Sequence, residues 1–288
     1  MKKPTTFEEQ LSLMKSRGLV IGDEDKCLAF LRSNNYYRLS AYLLPFKQKD
    51  DLYISGTTFE KIYQIYEFDR KLRLLLLSVI EEIELHLRTQ LSYYFAHKYG
   101  ALGYLDEMLY GSSHNHTEFI EKVNVSIDNN KNTPIVKHHK AEYNGNLPIW
   151  AIIDFFSIGN LSYFYRGWTS QDRKNISEKL LGTRILFLDS WFKCLTVLRN
   201  HCAHYSRLYY VSFKNVPKIP ESVDYSCSNC IFDQLLMLRF MYPHKHRWHI
   251  DFLLPLEALI GQYQNSINFL HIGFLEDWQE ILAREYSL

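Results

Sequence analysis

The chain has 288 residues, 47% of them hydrophobic and 23% charged, and a net charge of +1. That balance belongs to a globular protein with a sizeable core, and it excludes a non-specific nucleic-acid coat, so any basic site must be local. The longest apolar run, Leu74 to Ile80, is far too short to span a bilayer. At the start, MKKPTTFEEQL places charged and polar residues where a secretory leader would need an apolar stretch. The five cysteines, Cys27, Cys194, Cys202, Cys227 and Cys230, are odd in number, and a reducing cytoplasm is the expected setting.

Gly and Pro are sparse, 12 and 8, and fall between long periodic segments, which predicts helices. Residues 7–17 and 24–46 read as shorter helices, the second ended by Pro45 and the turn at Gly56. Thr57-x-x-Glu60 reads as a capping box opening a long helix that meets no Pro or Gly until Gly100. Its apolar residues, among them Ile62, Tyr66, Leu76, Ile80, Ile83 and Leu87, recur every three or four positions, so one stripe is buried. Residues 111–147 are polar, Asn-rich and basic, and read as a long exposed excursion with a helix near 116–127. Pro148 opens another helix, and residues 171–181 and 185–210 are two more. Pro217 and Pro220 mark a linker before a helical pair at 230–242 and 252–285.

The segment LDSWFKCLTVLRNHCAHYSRLYY carries the chemistry. On a helical wheel with Asn200 at zero, Leu195, Leu198, Cys202, Tyr205 and Tyr209 fall at about 140–220°, the expected core face. Asn200, His204 and Arg207 fall within about 40° of zero, and Arg199 about 100° to one side. Between Asp189 and Glu221 there is no acidic residue, while Lys193, Arg199, Arg207, Lys214 and Lys218 lie there, a pattern suited to a phosphate-bearing partner. RNA supplies its own nucleophile, the 2′-OH. Histidine can move the protons, arginine can stabilise the charged phosphorus centre, and asparagine can orient either. One histidine is few for both acid and base work, and two copies of this face across a two-fold axis would supply two.

RNHCAH matches the R-N-x-x-x-H form of the motif of HEPN ribonucleases, and WFKCLTVLRNHCAHYSRLYY resembles the Abi-like family, the AbiD and AbiF abortive phage-infection proteins. NNYYRLSAYLLPF at 34–46, YEFDRKLRLLLLSVIEEIELHLRTQLS at 66–92 and LPIWAIIDFFSIGNLSYFY at 147–165 resemble its other blocks in the same order, so the likeness covers about 30–215. It implies an all-α, HEPN-like helical bundle. With the helices in chain order, this core is expected over 57–216, with an N-terminal helical segment at 1–56 packed on it and a C-terminal helical extension at 217–288. It implies a homodimeric, metal-independent endoribonuclease toxin that halts growth on phage infection, restrained in some related systems by a small RNA, a protein antitoxin being the other option. Carried onto this sequence, the catalytic residues are Arg199, Asn200 and His204, and Arg207, which follows the motif, is an expected RNA contact. Lys214 is a further expected RNA contact on the charge pattern alone, and no cofactor, metal or membrane partner is expected.

Other readings stay open. A HEPN-like module that binds RNA or a protein without cutting would use the same face. Cys227-x2-Cys230, followed by His244 and His249, has the spacing of a zinc site, although the intervening apolar helix leaves no room for a finger's hairpin. Glu84 with Arg88 reads as an i,i+4 pair on a solvated face, and Asp69 with Arg73 has the same spacing and could buttress the motif helix. Tyr36, Tyr37 and Arg38 fit either a packing seam or a surface for bases, and the basic stretch 129–141 either a solvated loop or an RNA contact. No Walker loop, dinucleotide fingerprint, H-E-x-x-H or G-x-S-x-G is present.

Overall fold

A computed structural model describes residues 3–286, which hold thirteen α-helices and no β-strand. At the N-terminus, Thr6 and Glu9 exchange hydrogen bonds of 3.1 and 2.7 Å and start α1 (Phe7–Ser16) with a capping box. The stretch expected as one helix over 24–46 divides into α2 (Glu24–Ser33), α3 (Tyr36–Leu43) and a 3-10 turn at Leu44–Phe46. The break is at two asparagines. Asn34 is extended, and the Asn35 side chain accepts the Tyr37 N–H to begin α3.

The spine is α4 (Phe59–Tyr99), 41 residues and so about 60 Å long. Its cap is Thr58, whose hydroxyl accepts the Lys61 N–H at 3.1 Å, one residue beyond the expected Thr57. Thr57 instead donates to the Ile54 carbonyl, and Glu60 turns outward to accept the N–H groups of Gly22 and Asp23 at the start of α2. The expected stripe is buried, from Phe59 through Ile62, Tyr66, Leu76, Ile80, Ile83 and Leu87 to Phe95. At Gly100, φ is +83°, a value that suits glycine, and the helix stops.

Residues 111–147 are more ordered than their polarity implies. They form α5 (His116–Asn129) and α6 (Pro134–Glu142), and Lys137–Lys140 lies on the second of these. Few apolar residues are needed to seat them, since Phe119 and Val123 on α5 and Val136 on α6 are buried. Next come α7 (Ile149–Ile152) behind Pro148, α8 (Ile158–Gly167), α9 (Ser170–Leu181) and the motif helix α10 (Ile185–Ala203). A helix-free stretch from 204 to 230 follows, tied to α10 where Trp191 Nε1 donates to the Lys218 carbonyl at 2.7 Å and Ser190 Oγ accepts the Lys218 N–H at 3.0 Å. The helix α11 (Ile231–Met241) is buried on every side. The expected helix at 252–285 divides into α12 (Leu254–Tyr263) and α13 (Trp278–Ala283), with a 3-10 turn at Phe269–His271 between them.

The helices α3, α7, α10 and α12 pack along α4, and one apolar core runs from Leu11 to Leu282. No helix among the described residues is long and apolar enough to cross a membrane.

The start of α9 is fixed by Asp172, which is nearly inaccessible. Its carboxylate accepts from Tyr94, Tyr99 and Thr169, each at 2.7 Å, and pairs with Lys98. Burial alone would raise its pKa, but these donors outweigh burial and the net shift is downward. The resulting stability is therefore present above the ordinary carboxylate pKa and is lost as pH falls through the lower folded value. Asp172→Asn should flatten this acid limb of the stability curve, as measured by denaturant midpoints across an acid pH series.

Candidate functional site

The motif helix buries Phe187, Leu188, Trp191, Phe192, Leu195, Leu198 and Cys202, so its opposite face is left outward. It is shorter than expected and ends at Ala203, not at 210. His204 is its C-cap, and its N–H still reaches the Asn200 carbonyl at 2.9 Å, which keeps it on the helical track beside Asn200. Tyr205 then turns to φ +59°. Its N–H bonds to the Cys202 carbonyl at 3.3 Å and the Ser206 N–H to the His201 carbonyl at 2.8 Å, which together form a Schellman closure. The chain leaves the helix axis here, so Tyr205 does not join the core as the wheel predicted. It is 68% exposed, whereas Tyr209 is buried.

Asn200 and His204 are both exposed, and neither side chain has a hydrogen-bond partner among the described residues. Arg199 is half-buried and placed by α4, with its Nε 3.3 Å from Glu84 Oε1. The other Glu84 oxygen lies 3.3 Å from Arg88, which also donates to the Ile153 carbonyl at 2.6 Å. Glu84 and Arg88 are therefore not a solvated pair, because both are mostly buried and Glu84 belongs to the motif's surroundings. One carboxylate between two guanidinium groups leaves net positive charge at this point, to the advantage of an arriving anion.

The turn after His204 is held from below. Asp69, fully buried, accepts the Leu208 and Tyr209 N–H groups on Oδ1 at 3.0 and 2.7 Å. On Oδ2 it takes the Tyr42 hydroxyl at 2.5 Å and the Arg73 guanidinium. Burial opposes charge on Arg73, but the Asp69 carboxylate and the Tyr42 hydroxyl outweigh it and raise the Arg73 pKa further. Arg73 also lies 3.4 Å from the Ser206 carbonyl. From α3, Arg38 donates to the Tyr205 carbonyl at 2.7 Å. Asp69 and Arg73 thus buttress the end of the motif helix, as their spacing allowed. Arg38 acts as a brace, and Tyr36 is half-buried with its hydroxyl 3.5 Å from Arg17, while Tyr37 stays open to solvent.

Of the two expected RNA contacts, Arg207 is half-buried and donates to the Ala41 carbonyl, whereas Lys214 is exposed on the helix-free stretch. His201 packs 5.4 Å from the Phe213 ring, away from the open face.

The cysteine and histidine signal does not come together. Cys227 donates to the Pro217 carbonyl and Cys230 to that of Ser228, while His244 lies 3.5 Å from Glu82. Burial pushes the Cys227 thiol up to about 11. Among the described residues no three His, Cys, Asp or Glu side chains converge as a metal site requires.

Compared with known proteins, residues 29–210 match the family described as Abi-like protein, close to the 30–215 expected from the four sequence blocks. No curated protein and no solved structure matches the chain.

The clamp on the turn gives a measurable expectation. Asp69→Ala leaves Arg73 buried without its counter-charge and two N–H groups without an acceptor, and should cost about 3–5 kcal/mol. Tyr42→Phe removes the hydroxyl that donates to Asp69 and accepts from Arg73 but leaves the ion pair in place, and should cost less, about 1–3 kcal/mol. Chemical denaturation of both variants reads the difference.

Proposed function

The chain belongs to the Abi-like family of abortive-infection, anti-phage defence proteins, and on that premise we propose that it is a metal-independent endoribonuclease toxin acting in the cytoplasm. The observation that carries this reading is the face itself: Asn200 and His204 stand exposed and unpartnered next to Arg199, on a helix end braced by buried charges.

In this reading the RNA 2′-OH attacks its own phosphorus, and the bond to the 5′ oxygen breaks. The products are a 2′,3′-cyclic phosphate and a 5′-hydroxyl end. One His204 takes the 2′-OH proton, and a second His204, from another copy, gives a proton to the departing 5′ oxygen. Arg199 stabilises the charge that builds on the phosphoryl oxygens, and Asn200 orients a phosphoryl oxygen or the imidazole. Lys214 and the free nitrogens of Arg207 lend charge along the strand. The need for two histidines makes the working unit a homodimer with the motif near the two-fold axis. A small RNA or a protein antitoxin restrains it, since an open site of this kind would otherwise injure its own cell.

His204→Ala tests the assignment. Proton transfer by a positioned histidine is worth roughly 10²–10⁴ in rate. The residue is exposed, so its loss should move stability by no more than about 0.5 kcal/mol. RNA cleavage and thermal melting are measured together. Full activity in the variant would defeat the assignment and leave a binding module that does not cut. Activity should also survive chelation, and light scattering should give a dimer at micromolar concentration. Complete loss in EDTA, restored by magnesium or manganese, would instead require a metal mechanism.

A further inference from the structure

Among the described residues, five non-glycine residues have positive φ: Asp51, Asn144, Tyr205, Tyr210 and Asn229. Asp and Asn tolerate that conformation because their short polar side chains can bond locally. A bulky tyrosine there calls for a reason. Tyr210 has one, because its ring packs 4.9 Å from His271 and its N–H bonds the His271 carbonyl at 3.0 Å.

Tyr205 has no such reason within the fold. It sits at the position that closes a Schellman motif, where glycine is the favoured residue. Its side chain is 68% exposed and engages no partner among the described residues. Its backbone is nonetheless pinned, by Arg38 on its carbonyl and by the Asp69 clamp a few residues on. A braced backbone therefore presents an unengaged aromatic side chain at the residue that follows His204 in the chain.

We propose that Tyr205 is a stacking platform for an unpaired base next to the scissile phosphate, which makes single-stranded RNA, or an unpaired loop, the substrate class of this site. The proposal rests on the nuclease reading above. A base inside a duplex already has its faces covered by its neighbours, whereas an unstacked base in single-stranded RNA can lie on an aromatic ring. His204 and Tyr205 are adjacent in the chain, with Cα atoms about 3.8 Å apart, so a base on the ring belongs to a nucleotide close to His204. The ring supplies no charge, so it selects unpaired bases without reading their identity.

The full-length His204→Ala protein, which leaves RNA uncleaved, is titrated with a labelled single-stranded oligoribonucleotide and with the same sequence as a blunt duplex. Adding Tyr205→Gly should weaken single-strand binding about five- to a hundredfold. Tyr205→Phe keeps the ring and should stay within about threefold of the parent. The salt dependence of binding should not change, because no phosphate contact is lost. Tyr205→Gly should melt no lower than wild type, since glycine suits the backbone there. Tyr93→Ala removes an equally open tyrosine about 30 Å along α4 from Arg73 and should leave affinity unchanged.

The platform is overturned if Tyr205→Gly binds as tightly as its parent, if Tyr205→Phe is as weak as Tyr205→Gly, or if the duplex binds as well as the single strand. A wild type that cleaves RNA alongside any of these results leaves the nuclease reading standing and removes the platform alone. A wild type that neither cleaves nor binds RNA removes both.

Discussion

The motif's geometry depends on one buried carboxylate. Asp69 contributes four acceptor contacts, two to side chains and two to the backbone just after the motif helix. A charge buried to that depth is tolerable only when its lone pairs are used and a counter-charge is present, and Arg73 supplies the counter-charge. The arrangement does more to fix a shape than to add stability, since a buried ion pair of this kind often gains little over an apolar replacement. What it fixes is the direction in which the chain leaves α10, and with it the placement of His204.

That direction is a strained one. Tyr205 and Tyr210, the two bulky residues with positive φ among the described residues, stand at either end of the segment that Asp69 holds. The left-handed conformation costs a residue with a side chain roughly 1–2 kcal/mol. Strain of this size persists only where the surroundings over-determine the backbone, and the Asp69 clamp, Arg38 on Tyr205 and Arg207 on Ala41 do so from three sides. Arginines that look like free cations in the sequence are in this way divided between structure and surface. Arg38, Arg73 and, in part, Arg207 are spent on carbonyls and a carboxylate, while Arg199 shares Glu84 with Arg88 at the edge of the open face.

Much of this could be read from the sequence, and the exceptions have physical causes. The α4 stripe was legible because its period is simple. The same stripe contained an unused signal, since Asp69 and Arg73 sit in register with Ile62, Tyr66, Leu76 and Ile80, and charges at core positions must be partnered by something. The pairing of Glu84 with Arg199 was not legible, because it depends on how α4 and α10 are placed against each other. Tyr205 was assigned to the core because the wheel was carried past the point where the helix ends, and no Gly or Pro marks that end. The capping residue of α4 was missed by one position, because Glu60 serves the neighbouring α2 instead of its own helix. α6 was missed because a single fully buried side chain, Val136, suffices to seat it.

The clamp joins residues that are remote along the chain, with separations of 139 and 140 positions from Asp69 to Leu208 and Tyr209. Closing a loop of that length costs roughly 4 kcal/mol of chain entropy before any contact is gained. Local helices such as α4 and α10 form without that cost, but the turn beyond His204 does not. On a growing polypeptide, α4 emerges long before the segment that Asp69 is to hold, and the bond from Tyr210 to His271 waits longer still. The motif's working shape is therefore a late product of synthesis. A partly made chain carries the sequence RNHCAH without the turn that places His204, so the motif and its geometry become available at different moments of synthesis.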